Sequence, residues 1–292
     1  MSRQGGLSVE RMCHLAQVSR AGFYRSLRKQ APQEEETELR GRIQEIVLEH
    51  RRRYGIRRVA EQLRAEGRVV NRKRVARIMR EDNLLALRQR RFVVTTDSDH
   101  EHTVYFNLAG RVQLTGINQL WVADITYIRL QGEFVYLAVI LDAYSRKIIG
   151  WELDRSLQTR LSVTALLKAI GERDPPPGVI HHSDRGIQYA SPDYVDVLHA
   201  HGLIPSMSRA GCPYDNAACE SFMKTLKQEE IYATEYRDLE DLREHLEEFL
   251  ERYYNCQRLH SALKYRTPAS FEASLAATTD ESRAAKIEFS KA

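Results

Sequence analysis

Three carboxylates stand where an apolar pattern would otherwise continue or close. Asp124 interrupts the stretch "LWVADITYI", Asp184 ends the stretch "GVIHHSD", and Glu220 lies within "CPYDNAACESFMKTLKQE", which runs from Cys212 to Glu229. Fifty-nine residues separate the first two acids and 35 separate the second pair. Gathering carboxylates is costly unless a cation offsets their repulsion. Oxygen-only ligands suit a hard divalent ion, Mg²⁺ or Mn²⁺. Two such ions about 4 Å apart clamp a phosphodiester, activating the attacking oxygen and stabilising the leaving one.

The third acid sits in a two-sided pattern. As a helix, steps of four and seven residues place Asn216, Glu220, Lys224 and Lys227 on one stripe, beside an apolar stripe of Cys219, Phe222, Met223 and Leu226. Taken alone, Glu220 and Lys224 are an ordinary i, i+4 surface pair worth a few tenths of a kcal/mol. Beside two further acids, the same stripe offers acid for a metal and base for phosphate. Asn216 reads either as the helix N-cap or as a contact to DNA. His182 reads as a phosphate or water contact or as the filling of a strand end, and Asp142 and Arg146 as organisers of a hairpin turn. Arg209 reads as a loop contact to DNA, and Tyr127 and Tyr214 as packing aromatics that could stack on bases.

The elements that must position these groups are legible from their periodicity. "LWVADITYI", "EFVYLAVILD" and "KIIGWELD" are rich in β-branched and aromatic residues with short turns between them. A helix over 158–170, a buried strand "GVIHHSD", a helix over 191–201, a short strand "LIPSMS" and the helix of Glu220 follow. Hairpin-connected strands, then alternating helix and strand, predict an α/β fold with a mixed sheet flanked by helices. "RDLEDLREHLEEFLERYY" predicts a late amphipathic helix, and the tail from 274 to 292 reads as flexible.

The first 92 residues differ in kind. They hold 23 Lys+Arg against 11 Asp+Glu, whereas the remainder holds 21 against 29. A basic, arginine-dominated region joined to an acidic one suggests a nucleic-acid-binding part beside a domain with another task. Two helical pairs are readable there, both all-α and of helix-turn-helix type. In residues 1–32, Met12, Leu15, Ala16, Phe23 and Leu27 would form a small core; in residues 33–92, Val59, Leu63, Val75, Ile78 and Met79 supply the apolar face, Gly67 parts the helices and Asn71 is the N-cap. The helix after Asn71 carries Arg72, Lys73, Arg74 and Arg77, expected to face DNA. Residues 93–117 read as a linker, and 118–273 as the catalytic core with its C-terminal helix. The four cysteines form no CxxC pair, which fits a reducing cytoplasm, and no apolar run reaches the roughly 20 residues of a membrane span.

Taken in order, "WVADITYI", "HHSDRGIQYAS" and "SMSRAGCPYDNAACESFMKTLKQE" resemble the three signature blocks of Asp-Asp-Glu transposases related to retroviral integrases. "YYNCQRLHSALKYRTPASF" resembles the tail motif of their bacterial insertion-sequence branch. The resemblance covers essentially the whole chain. It implies an RNase-H-like catalytic core in which Asp124, Asp184 and Glu220 bind two Mg²⁺, with Mn²⁺ a possible substitute. It implies a nick at the element's end and transfer of the freed 3′-OH to another phosphodiester. By the same resemblance, Lys224 and Lys227 contact the DNA end, the protein works as at least a dimer on DNA, and a partner encoded by an upstream frame is expected. Two other readings stand beside this one: a DNA-binding regulator that does not cut, and a hydrolase that nicks without joining.

Overall fold

The computed structural model describes residues 8–27, 34–86, 103–209 and 216–277. The chain divides into two compact units, Met1–Leu87 and Arg88–Ala292, each described by itself.

The first unit is helical. Its opening pair is α1 (Val9–Leu15), capped by the Ser8 hydroxyl on Arg11 N, and α2 (Arg20–Leu27). The core expected there is different: Cys13 is the buried residue, while Leu15 and Ala16 are exposed. Three helices follow: α3 (Glu34–Glu49), α4 (Ile56–Ala65) and α5 (Arg72–Glu81). Helix α3 was not foreseen, although Leu39, Ile43, Ile46 and Val47 recur at helical spacing and all are buried. They close a core with Val59, Leu63, Val75, Ile78 and Met79. The turn between α4 and α5 works as expected. Gly67 takes φ +82°, which an L side chain resists, and Asn71 Oδ1 accepts from Lys73 N at 2.8 Å.

The second unit is built on a five-stranded sheet, β1 (Leu120–Arg129), β2 (Phe134–Asp142), β3 (Ile148–Asp154), β4 (Ile180–Ser183) and β5 (Ile204–Met207), in the order β3-β2-β1-β4-β5. The first three strands form an antiparallel meander, and β4 and β5 add in parallel through helical crossovers. The crossovers are α6 (Thr159–Arg173) into β4, then α7 (Ile187–Ala190) and α8 (Pro192–Ala200) into β5. This mixed sheet flanked by helices is the RNase-H-like arrangement that the sequence implied.

On one face, Trp121, Ala123, Ala138 and Ile140 pack against Leu161, Ala165 and Ala169 of α6 and Tyr194 and Leu198 of α8. The approach of α6 is so close that a Cβ on Gly150 would lie 2.4 Å from the Ala165 carbonyl oxygen. Alternate residues of β1, Val122 and Asp124 among them, point to the opposite face, where α9 (Ala217–Leu226) packs against the strand. Helix α9 continues as a π-helical turn over Lys227–Ile231, and α10 (Leu239–Glu247) continues likewise over Glu248–Tyr254. A final helix covers 268–277, so the first residues of the expected flexible tail are helical; the rest of that tail lies outside the described residues.

Candidate active site

The ladder between β1 and β4 sets the first two acids side by side. Leu120 pairs with Ile180, Trp121 with His181 and Val122 with His182. Asp124 and Asp184 each stand two residues beyond that last rung, Asp124 within β1 and Asp184 just past the end of β4, close enough for the charge of one to act on the other. Asp124 Oδ1 accepts from Ile125 N at 2.9 Å, and Asp184 Oδ1 accepts from Gly186 N at 2.9 Å. A Cβ on Gly186 would stand 3.0 Å from the Asp184 carboxylate oxygen, so a side chain there would press on the carboxylate.

A tether on β1 brings up the third acid. Asn216 occupies the N-cap position of α9, but its side chain makes no capping bond; its Nδ2 donates instead to the Ala123 carbonyl at 3.0 Å. It is 7 % exposed, so the stripe predicted for Asn216, Glu220 and Lys224 breaks at its first member. The amide faces inward beside Asp124 and not outward to DNA, because the backbone of β1 has captured it. One turn on, Glu220 and Lys224 are exposed while Cys219, Phe222, Met223 and Leu226 are buried, as the two stripes predict. Lys227 is half-buried, its Nζ 5.6 Å from the centre of the Tyr127 ring, which meets Phe134 edge-on.

The electrostatics tie these groups together. The Asp124 carboxyl is pushed up to about 7, first by burial and next by the charge of Asp184; Glu220 adds to the rise, while the Ile125 amide and Lys227 oppose it. Asp124 keeps intermediate surface exposure, yet protein atoms crowd its carboxyl and desolvation dominates its shift. Burial pushes the Lys227 ammonium down and Asp124 pulls it back up. Cys219 beneath them is an unreactive thiol, raised far above its ordinary range by burial and by the same three acids.

These features fit a divalent cation. The acids supply only oxygen donors, they penalise one another's charge, and Asn216 Oδ1 beside them is a buried acceptor with no partner. Among the described residues no group of three His, Cys, Asp or Glu side chains is already gathered about one point as a metal cage. The segment 210–215, which leads into α9 and holds Gly211, Cys212, Pro213 and Tyr214, lies outside the described residues.

Behind the acids the polar residues are structural. His182 is fully buried, with Nδ1 2.8 Å from Ser206 Oγ and Nε2 3.0 Å from Ser208 Oγ, so it fills the strand end and does not meet a ligand. His181 is held against the Tyr194 hydroxyl at 3.0 Å and burial lowers it to about 3, a neutral ring at any working pH. Asp142 accepts from the amides of Asn118, Tyr144 and Ser145, and Arg146 takes φ +62°, as a hairpin organiser requires. Arg209 is exposed just beyond β5.

In the helical unit the four cations predicted to face DNA divide into two pairs. Arg72 and Lys73 are exposed. Arg74 instead meets Glu35 at 3.3 Å, and Arg77 meets Glu36 and Glu81 at 3.2 Å each. Helix α3, unforeseen, lays its acidic N-terminal turn along that side of α5.

Residues 33–92 match the family HTH-like domain, and residues 115–213 and 201–268 match the family Integrase core domain. The chain is 37% identical over 247 residues to the transposase for insertion sequence element IS904 of Lactococcus lactis subsp. lactis (strain IL1403), covering 84% of this chain and 98% of that protein. The chain belongs to the insertion-sequence transposases with an integrase core domain. Further members of this family are similar along almost their whole length. Transposase InsF for insertion sequence IS3A of Escherichia coli (strain K12) is 36% identical over 274 residues, 92% of this chain and 95% of that one. The IS600 uncharacterized 31 kDa protein of Shigella sonnei is 38% identical over 264 residues, 89% of this chain and 97% of that one. Among solved structures, the HTLV-2 integrase catalytic core domain in complex with magnesium aligns with 53% of this chain and 97% of its own, at 15% identity and a TM-score of 0.40.

Proposed function

We propose that this transposase cuts and joins DNA at one site formed by Asp124, Asp184 and Glu220, with the helical unit recognising the ends of its element. The observation that supports the reading is the electrostatic coupling of Asp124 to Asp184 and Glu220, acids carried by three different parts of the fold. Asp124 and Asp184 each follow the last β1–β4 rung by two residues, Asn216 ties the start of α9 to β1, and the Asp124 carboxyl feels both other charges.

Asp124, Asp184 and Glu220 would hold two Mg²⁺, with Mn²⁺ able to substitute. Bound there, the ions lower the cost of negative charge building on the attacked phosphate. Water adds to phosphorus, the P–O3′ bond breaks and the 3′ end leaves as a free hydroxyl. That hydroxyl attacks a second phosphodiester and displaces its 3′ oxygen, so the strands join with no ATP and no covalent protein intermediate. Lys224, exposed one turn beyond Glu220, meets a backbone phosphate. Lys227 steadies the site from its seat over Tyr127 and contacts DNA only with its tip. Arg72 and Lys73 lead the contact of α5 with DNA, and Arg209 adds to it from the loop beyond β5. The working form is at least a dimer on DNA, and a partner from an upstream frame completes it.

The test is a Mg²⁺-dependent cleavage and strand-transfer assay on linear DNA bearing the element's ends, with Glu220→Gln alongside. Nicked and joined products that vanish in the variant support the reading. Binding without chemistry in either protein, even with the upstream partner added, would overturn it in favour of a regulator. Nicking without joining would point to a hydrolase.

A further inference from the structure

The tail motif "YYNCQRLHSALKYRTPASF" has no part in the chemistry above, yet its Asn255, Arg258 and His260 are buried. Asn255 is 5 % exposed and commits both ends of its amide to one residue: Ile148 N donates to Asn255 Oδ1 and Asn255 Nδ2 donates to Ile148 O, each at 2.9 Å. Ile148 opens β3, the outer strand of the meander, so the amide stands where a further strand would pair. Three residues on, Arg258 is also 5 % exposed. Its Nε donates to Glu229 Oε2 at 2.8 Å and its Nη2 to Glu229 Oε1 at 2.7 Å, a two-pronged fork. The same Nη2 reaches Thr225 Oγ1 at 3.3 Å, and the guanidinium lies over the Tyr254 ring, which meets Phe222 of α9 edge-on. Thr225 is in α9, next to Lys224, and Glu229 is in its π-helical turn.

One short segment therefore grips the sheet edge with Asn255 and the far end of α9 with Arg258. We infer that residues 253–258 are an internal brace that sets the position of α9, and so of Glu220, over the sheet, with Arg258 and Glu229 as positioning residues. The inference rests on the reading of Glu220 as the third catalytic acid. The π-helical turn interrupts the regular hydrogen-bond ladder at the end of α9, and Glu229 within it is held by the Arg258 fork. Without the brace, α9 would keep its apolar face on the sheet and the Asn216 tether one turn before the acid, but the polar anchor of its far end would be lost. With both ends held, the acid cannot swing. A lysine at 258 keeps the charge but cannot fork, so it loosens the far anchor without removing the cation.

The experiment uses the full chain with Arg258→Lys and Glu229→Gln, beside Glu220→Gln. The substrate is a linear duplex taken from the DNA that flanks this chain's own reading frame. Initial cleavage rates are measured against DNA and Mg²⁺ concentration, together with DNA affinity and melting temperature. The brace predicts kcat lower by about ten-fold or more in both brace variants at a temperature where they remain folded. It also predicts a higher Mg²⁺ requirement, with KM and Kd for DNA within two-fold. A lower melting temperature with unchanged kcat would make the pair merely stabilising and overturn the inference. Weakened DNA affinity with unchanged kcat would make Arg258 a DNA ligand and overturn it equally. If Arg258→Lys does not fold, Glu229→Gln carries the same comparison, since its amide is close to isosteric with the carboxylate. Full cleavage by Glu220→Gln would instead remove the catalytic reading itself. An inactive Glu220→Gln beside fully active brace variants would remove only the brace.

Discussion

Both units of this transposase carry surface ion pairs, but among the described residues it is the sheet unit that also places such pairs inside. In the helical unit, arginines pair with acids on the surface: Arg40 with Glu36, Glu81 and Asp82, Arg42 with Glu45, Glu49 and Glu66, and Arg77 with Glu36. In the sheet unit the pairs Arg258–Glu229 and Arg173–Glu272 are inside, with side chains between 6 % and 13 % exposed. Surface pairs contribute about 0–1 kcal/mol each and yield readily to another anion. A buried pair cannot lose a partner without leaving a stranded charge. The helical unit thus holds its cations in exchangeable contacts that a phosphate backbone can take over. The sheet unit uses charge to hold geometry.

The largest expected effect tests the geometric side. Asp184→Asn should lower strand cleavage on the order of 10³-fold or more, with DNA affinity within a few-fold, in single-turnover assays beside filter binding. Equal losses of both would mean that the site is a DNA-binding surface and not a reaction centre.

Glycines sharpen the contrast next. Gly150→Ala places a Cβ 2.4 Å from the Ala165 carbonyl oxygen and 2.8 Å from Ala169, so it should cost about 3 kcal/mol in denaturant melts. Gly41→Ala, inside α3 with nothing within 4 Å of the added carbon, should stabilise by about 0.5–1 kcal/mol. Similar signs at the two positions would abolish the difference in packing tolerance.

The third prediction concerns pH. The folded Asp124 carboxyl, at about 7, binds its proton more tightly than the unfolded one. Without added metal, stability should fall as pH rises from about 4 through 7, by on the order of 2 kcal/mol after allowance for its partial exposure. Thermal melts in a chelator at pH 5 and pH 8 check this against Asp124→Asn, in which that fall should be absent. Added Mg²⁺ should raise the melting temperature at pH 8 and leave it unchanged at pH 5.

The smallest effects belong to the exchangeable surface. Lys73→Ala should reduce the salt slope of DNA binding by about one. Glu36→Gln should tighten DNA binding by about two-fold, because it frees Arg74 and Arg77 from an anionic neighbour. No change on Glu36→Gln would show that α5 meets DNA with its other side.

The sheet was readable because its strands are apolar and rich in β-branched residues. Asp124 and Asp184 stood out as acids within and at the end of such runs, whereas Glu220, on a polar helical stripe, was singled out with the help of the resemblance. What escaped was whatever depends on a distant partner. Helix α3 carries its apolar period at Leu39, Ile43, Ile46 and Val47 among so many glutamates that the charge masks it. The pairing of Arg74 and Arg77 with α3 followed that omission. Asn216 sits at the predicted N-cap, yet β1, some 90 residues earlier, captured its amide. The π-helical turn at Lys227–Ile231 has no local signal, since Arg258 holds it from far along the chain.

The parallel pairing of β1 with β4 carries a consequence for synthesis of the protein. Asp124 leaves the ribosome early, but it has no neighbour until β4 has threaded in beside it. It has no third acid until α9 has docked, and α9 is held at its far end only when Arg258 arrives. If Asp124, Asp184 and Glu220 form the site proposed above, a nascent or truncated chain that stops short of residue 258 would cleave DNA poorly.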